Sequence, residues 1–150
     1  EEGKYHFDGH RKCGVSLSPV EAERLGGICP VCGKKLTMGV DHRVEQLADR
    51  EEGFVKKDGK KYESLVPLPE VVAACMGYST ASKKVQGCFE QMMQTLGTEF
   101  DILRNVPAED IKSCAGERIA EGIENVRTGN VKRIPGYDGE YGKIQLFDEN

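Results

Sequence analysis

HRKC at residues 10–13, then fifteen residues, then CPVCG at residues 29–33: this stretch decides how the chain is read. Two residues separate His10 from Cys13, and two separate Cys29 from Cys32. Two short ligand pairs at this separation are the spacing of a zinc ribbon. Three thiolates and one imidazole are a common tetrahedral set at structural zinc sites, which are closed to further ligands. In CPVCG two thiolates reach one metal from a tight turn, and Gly33 supplies the φ freedom that such a turn needs. The expected ligands are therefore Cys13, Cys29, Cys32 and, as the fourth, His10, with His6, Asp8 and His42 as its competitors.

Other chemistries fit the stretch less well. A redox CxxC wants a βαβ pattern around it; here it follows a short helix and Gly26-Gly27. A zinc deaminase needs His two residues before Glu, and Pro directly before the first cysteine of the pair. Ile28 precedes Cys29, and no histidine of the chain has Glu two residues on. A hydrolytic zinc needs an open coordination position, which four protein ligands in one compact loop do not leave.

Working outward, the 150 residues allow one domain or two small ones. The hydrophobic content is 38 % with no Trp, so a metal is a reasonable staple for a small N-terminal piece. The net charge of −4 argues against a chain that simply coats nucleic acid. Residues 1–64 carry 12 Lys/Arg and 12 Asp/Glu, and residues 65–150 carry 9 and 13, so the acidic excess lies in the second part. Cys75, Cys88 and Cys114 are scattered, which suits a reducing compartment and a cytoplasmic protein rather than a disulfide framework. No transmembrane run or signal peptide is apparent. A chain that begins at Glu1 reads as part of a longer protein.

Two short strands are expected around HRKC. Ser18-Pro19-Val20-Glu21 is a helix start, with Ser as N-cap, Pro at the first helical position and Glu three after the cap. Residues 34–40 (KKLTMGV) suit a strand, and Asp41 suits the cap of a helix HRVEQLADR in which Val44, Leu47 and Ala48 share a face. Glu51 to Glu63 is a charged break, either a loop or a solvated hairpin around Asp58-Gly59, with Lys56, Lys57, Lys60 and Lys61 in reach of phosphate. Helical signals follow: PEVVAACM, a long helix from Ala81 to Leu96 capped by Ser79 or Thr80, then Glu99–Val106, Ala108–Cys114 and Glu117–Arg127. LRNVPAEDIKSCAGERIAEGI faintly resembles a helix-hairpin-helix unit, although a small helical bundle would read the same. Val131–Ile134 and Lys143–Phe147 read as strands around PGYDGEYG, whose Tyr137 and Tyr141 offer stacking faces. The expected class is α+β: a zinc-ribbon-like domain at residues 1–62, and a mainly helical domain at 63–150 that ends in a short β-hairpin.

YHFDGHRKCGVSLSP, CPVCGKKLTMGVDHRVEQLADR, LVPLPEVVA, SKKV and VRTGNVKRIPGYDGEYGKI together resemble the endonuclease Q family of archaeal and some bacterial DNA repair nucleases. The resemblance covers nearly the whole chain. It implies a region downstream of an N-terminal PHP domain, a metal-dependent phosphoesterase barrel, comprising a zinc-binding domain and a helical C-terminal region. It also implies a parent that nicks DNA on the 5′ side of uracil, hypoxanthine, xanthine and abasic sites. The histidine- and aspartate-rich PHP motifs are absent from these residues, so the catalytic metals are expected elsewhere and these residues alone are expected to be inactive. The zinc here is expected to be structural. Lys34, Lys35, Arg43 and Arg50 are candidates for phosphate contact, with Tyr137 and Tyr141 beside DNA. The expected partners are DNA with deaminated bases and the chain's own PHP domain. A ribbon that docks on a protein such as a replication clamp is the competing reading.

Overall fold

The computed structural model describes residues 1–51 and 53–147, and the class is α+β. Contacts gather the chain into two compact units, residues 1–60 with 133–144, and residues 61–132 with the chain from Gln145 on. By order along the chain the PGYDGEYG loop falls with the helices, but it folds into the first unit. The chain passes between units within the strands of its last hairpin, β3 (Lys132–Ile134) and β4 (Lys143–Gln145).

The first unit opens with an antiparallel hairpin of β1 (Asp8–His10) and β2 (Val15–Leu17), with Asp8 opposite Leu17 and His10 opposite Val15. A 3-10 turn, Arg11–Cys13, joins the strands. Helix α1 (Pro19–Arg24) starts on the capping box read from the sequence: the Glu21 amide donates to Ser18 Oγ, and Glu21 Oε2 accepts from the Ser18 amide at 2.9 Å.

Residues 34–40 do not form the expected strand. Lys35 bridges Ile28 and Thr37 bridges Gly9, so each side of the segment pairs with a different partner and no continuous ladder forms. Only Leu36 of this stretch turns into the small core with Ala22 and Cys29. Helix α2 runs Val40–Leu47, shorter than expected, and its N-cap is Gly39, with Asp41 in the first turn. The reason is room: a Cβ at residue 39 would collide with the backbone of His6 and Phe7. The Gly39 amide donates to the buried carboxylate of Asp8 at 2.5 Å. Val40, Val44 and Leu47 share a face of α2 and are exposed.

The charged break forms no hairpin among the described residues, of which Glu52 is not one. It carries a turn closed by the Gly59 amide on the Lys56 carbonyl, 2.9 Å.

The second unit is a bundle of α3 (Leu68–Met76), α4 (Lys83–Leu96), α5 (Glu99–Arg104), α6 (Ala108–Ala115) and α7 (Glu117–Thr128). Helix α4 starts two residues later than read, because Ser82, not Ser79 or Thr80, accepts from the first-turn amide of Lys84. Leu68, Val71, Val72, Val85, Met92, Ile102, Ile111 and Ile123 are fully buried. Each contributes on the order of 1.5–3 kcal/mol over an exposed position. Arg127 reaches back to the end of α5, donating to the carbonyls of Leu103 (3.0 Å), Ile102 (2.8 Å) and Val106 (2.6 Å). It satisfies carbonyls that a helix end leaves without partners. The last strand ends at Gln145 rather than Phe147. No described helix is long and apolar enough to cross a membrane.

Candidate metal centre

His10 ends β1, and Cys13 closes the 3-10 turn three residues later. Cys29 and Cys32 stand on the knuckle that follows α1. That knuckle is built by backbone: the Gly33 amide donates to the Cys29 carbonyl at 2.9 Å and the Cys29 amide to the Lys34 carbonyl at 2.7 Å. The donor atoms of His10, Cys13, Cys29 and Cys32 all lie within 4.8 Å of one another. His10 turns Nδ1 to the cluster, 3.6 Å from Cys32 Sγ.

A zinc–thiolate bond of about 2.3 Å gives a tetrahedron with sulfur–sulfur edges of about 3.8 Å. A cluster of this span therefore closes on a metal with small side-chain adjustments. The electrostatics agree with the geometry. Desolvation, reinforced by the thiols of Cys32 and Cys29, pushes the Cys13 thiol up to about 11. Desolvation also works against the Cys29 thiolate, but the amides of Cys32 and Val31, together with the thiols of Cys32 and Cys13, outweigh it and bring that thiol below its ordinary value. Three sulfurs held this close resist joint ionisation until a cation is placed among them. The four residues could hold a metal ion, and the donor set suits zinc.

The competing ligands have other roles. Asp8 and His42 are both buried and pair with each other, Nδ1 to Oδ2 at 2.7 Å. His6 stacks on Phe7 with ring centroids 5.4 Å apart. Spacing alone does not reveal the Asp8–His42 pair, because the two residues lie on different elements.

The PGYDGEYG loop clips onto the back of the ligand turn. Asp138 Oδ2 accepts from the Arg11 amide, and Oδ1 from the Thr37 hydroxyl, each at 2.6 Å. Thr37 and Arg11 thereby hold the Asp138 carboxyl below the usual aspartate range. Tyr137 is half-buried over Gly9, where a Cβ would collide with its ring. Glycine in β1 is thus the room that the aromatic needs. Tyr141 is 70 % exposed, with the Lys4 ammonium 4.7 Å from its ring centroid. Lys34, Lys35, Arg43 and Arg50 are all exposed. Arg43 meets Gln46 at 3.2 Å, and Arg50 pairs with Asp49 at 3.1 Å and lies over the Phe54 ring at 5.1 Å.

The crystal structure of the lesion-specific endonuclease PfuEndoQ from Pyrococcus furiosus superposes on 99 % of this chain with a TM-score of 0.84 and 32 % identity. The chain is an endonuclease Q-related C-terminal region. A second endonuclease Q structure, a complex with a 27-mer duplex carrying an abasic lesion at the active site, matches 97 % of the chain with a TM-score of 0.80 and 32 % identity. Each match spans 36 % of the solved chain. A family model described as the MJ0043 C-terminal domain matches residues 67–130, the helical part of this endonuclease Q-related region. The uncharacterised protein MJ0043 of Methanocaldococcus jannaschii is 33 % identical over 96 % of the chain. YqxK of Bacillus subtilis, also uncharacterised, is 28 % identical over 95 %. The chain spans 18 % and 33 % of the lengths of these two relatives.

Proposed function

We propose that this chain is the zinc-bearing, DNA-holding part of an endonuclease Q-like repair nuclease that nicks DNA 5′ of deaminated bases such as uracil, hypoxanthine and xanthine. The observation that carries the reading is the match along nearly the whole chain to an endonuclease Q held on a lesion-bearing duplex. On this reading a PHP domain elsewhere in a cytoplasmic parent supplies the catalytic metals and the hydrolysis. This chain supplies the grip. A deaminated base has to be unstacked to be inspected, at a cost of a few kcal/mol. A second domain that holds the phosphates offsets part of that cost.

Zinc at His10, Cys13, Cys29 and Cys32 would act structurally, fixing the hairpin to the knuckle and so the positions of Lys34 and Lys35. Lys34, Lys35, Arg43 and Arg50 would take phosphates, with Tyr141 open to a base or sugar and Tyr137 setting the loop behind it. The test is anisotropy titration of duplexes containing uracil, hypoxanthine or no lesion, with the chain and with its full-length parent. The Lys35→Ala, Arg43→Ala double variant is expected to weaken binding and to flatten its salt dependence by about two charges. Unchanged affinity and slope in the parent would remove these residues from the interface.

One observation favours a second reading, a ribbon that docks on a protein. Val40, Val44 and Leu47 of α2 are 63 %, 58 % and 64 % exposed on a helix face that ordinarily packs. A pull-down that recovers a replication or repair protein through this face, with no salt-sensitive DNA affinity, would select that reading.

A further inference from the structure

Residues 54–62 (FVKKDGKKY) join lysines to bare aromatic rings. Phe54 is 61 % exposed, Val55 82 % and Tyr62 90 %. Lys56, Lys57, Lys60 and Lys61 are exposed, and none of their side chains has a hydrogen-bond or ion-pair partner among the described residues. The acid that follows them, Glu63, is engaged by Arg104, Nε to Oε2 at 2.7 Å. The stretch is therefore a positive arm. Its aromatics are held in water, and Phe54 carries the Arg50 guanidinium over its ring. A plain solvated linker is built from small and polar residues and leaves no large apolar side chains bare. Unpaired cations beside exposed rings, with one face of Phe54 under Arg50 and Tyr62 almost fully exposed, are the two parts of a surface for nucleic acid whose bases are out of the stack: the cations track phosphates and the rings take base faces.

We propose that residues 54–62 form a DNA-contact arm that favours distorted or single-stranded DNA over intact duplex, with the lysines on phosphates and Phe54 and Tyr62 stacking on unstacked bases. The inference rests on the DNA-holding reading above and deepens it. An anionic membrane fits the charge, but the arm has no amphipathic helix to lie in an interface.

The experiment compares the 150-residue chain with two variants. One is Lys56→Ala, Lys57→Ala, Lys60→Ala, Lys61→Ala; the other is Phe54→Ala, Tyr62→Ala. Anisotropy is measured on intact duplex, abasic-site duplex and single strand over a range of salt, with phosphatidylserine vesicles as a further arm. The lysine variant is expected to lower the slope of log K against log salt by about three on every DNA. The aromatic variant is expected to keep that slope and the intact-duplex affinity, and to lose about 5- to 150-fold per lost stack on single strand and abasic duplex. If the wild-type chain binds DNA and both variants bind equally well, the arm is refuted while the DNA-holding reading stands. If the wild-type chain binds no DNA, both fall. Binding to vesicles but not DNA, lost in the same variants, assigns the arm to membranes and also refutes it.

Discussion

The two units of this chain are held together by different means. The helical unit buries a continuous set of aliphatic side chains, from Leu68 and Val72 through Met92 to Ile123. Among the described residues, the first unit buries only Ala22, Cys29 and Leu36 as a core cluster, with Cys13, Val15 and Leu17 partly covered. In place of burial it has a four-donor cluster, single-bridge backbone pairing, a buried Asp8–His42 pair and the Asp138 clip. A small unit with so little apolar burial needs a staple, and a metal held by the four-donor cluster would supply one without a large core. The lesson is that one chain can put its rigidity in burial at one place and in polar clips around a possible metal cluster at another, and the two should respond to different insults.

The largest expected contrast comes from the metal. Structural zinc contributes on the order of 10–16 kcal/mol to apparent folding in small zinc domains. A strong chelator, or Cys29→Ser, is expected to collapse the dispersion of amide signals from residues 1–60 and 133–144 while the helical signals persist. Simultaneous loss of both sets would mean that the units do not differ in this way.

Asp8→Ala comes next. It leaves His42 buried without its partner and the Gly39 amide without an acceptor, and breaking such a buried pair costs about 3–5 kcal/mol. The loss should appear in the first unit, in thermal unfolding of the metal-loaded chain. Met92→Ala tests the other side of the contrast. It removes a fully buried side chain of the bundle, at about 2–5 kcal/mol, and metal content should not change.

The smallest effect is that of the clip. Asp138→Asn is expected to cost about 1–2 kcal/mol near neutral pH, read by denaturant unfolding. The Asp138 carboxyl is held below its ordinary value of 3.8 by the Thr37 hydroxyl and the Arg11 amide. Its stabilisation is therefore fully present above that value and is lost as pH falls through the lower, folded one. The difference between Asp138→Asn and wild type should be flat from about pH 5 to 8 and shrink below about pH 4.

What was legible in the sequence follows the same division. The helices of the second unit announce themselves through periodicity and caps, and the reading erred there only at ends, as at Ser82. In the first unit the capping box of Ser18 and Glu21 and the ligand spacing are local signals, and both could be read. The partner of Asp8 could not, because a buried Asp–His pair across 34 positions leaves no periodic trace. Nor could the return of the PGYDGEYG loop, which brings Asp138 to Arg11, 127 positions away, and its backbone to residues 1–7. The failed strand at residues 34–40 has the same cause: KKLTMGV suits a strand locally, but the fold uses two single bridges to different neighbours.

The central claim is that one metal ties the HRKC turn to the CPVC knuckle. X-ray absorption at the zinc edge of the purified chain tests it most directly. One zinc per chain is expected, with three sulfur neighbours at about 2.3 Å and one nitrogen at about 2.0–2.1 Å, the nitrogen lost in His10→Ala. A folded first unit that carries no metal, or a zinc shell without the three sulfurs, would contradict it.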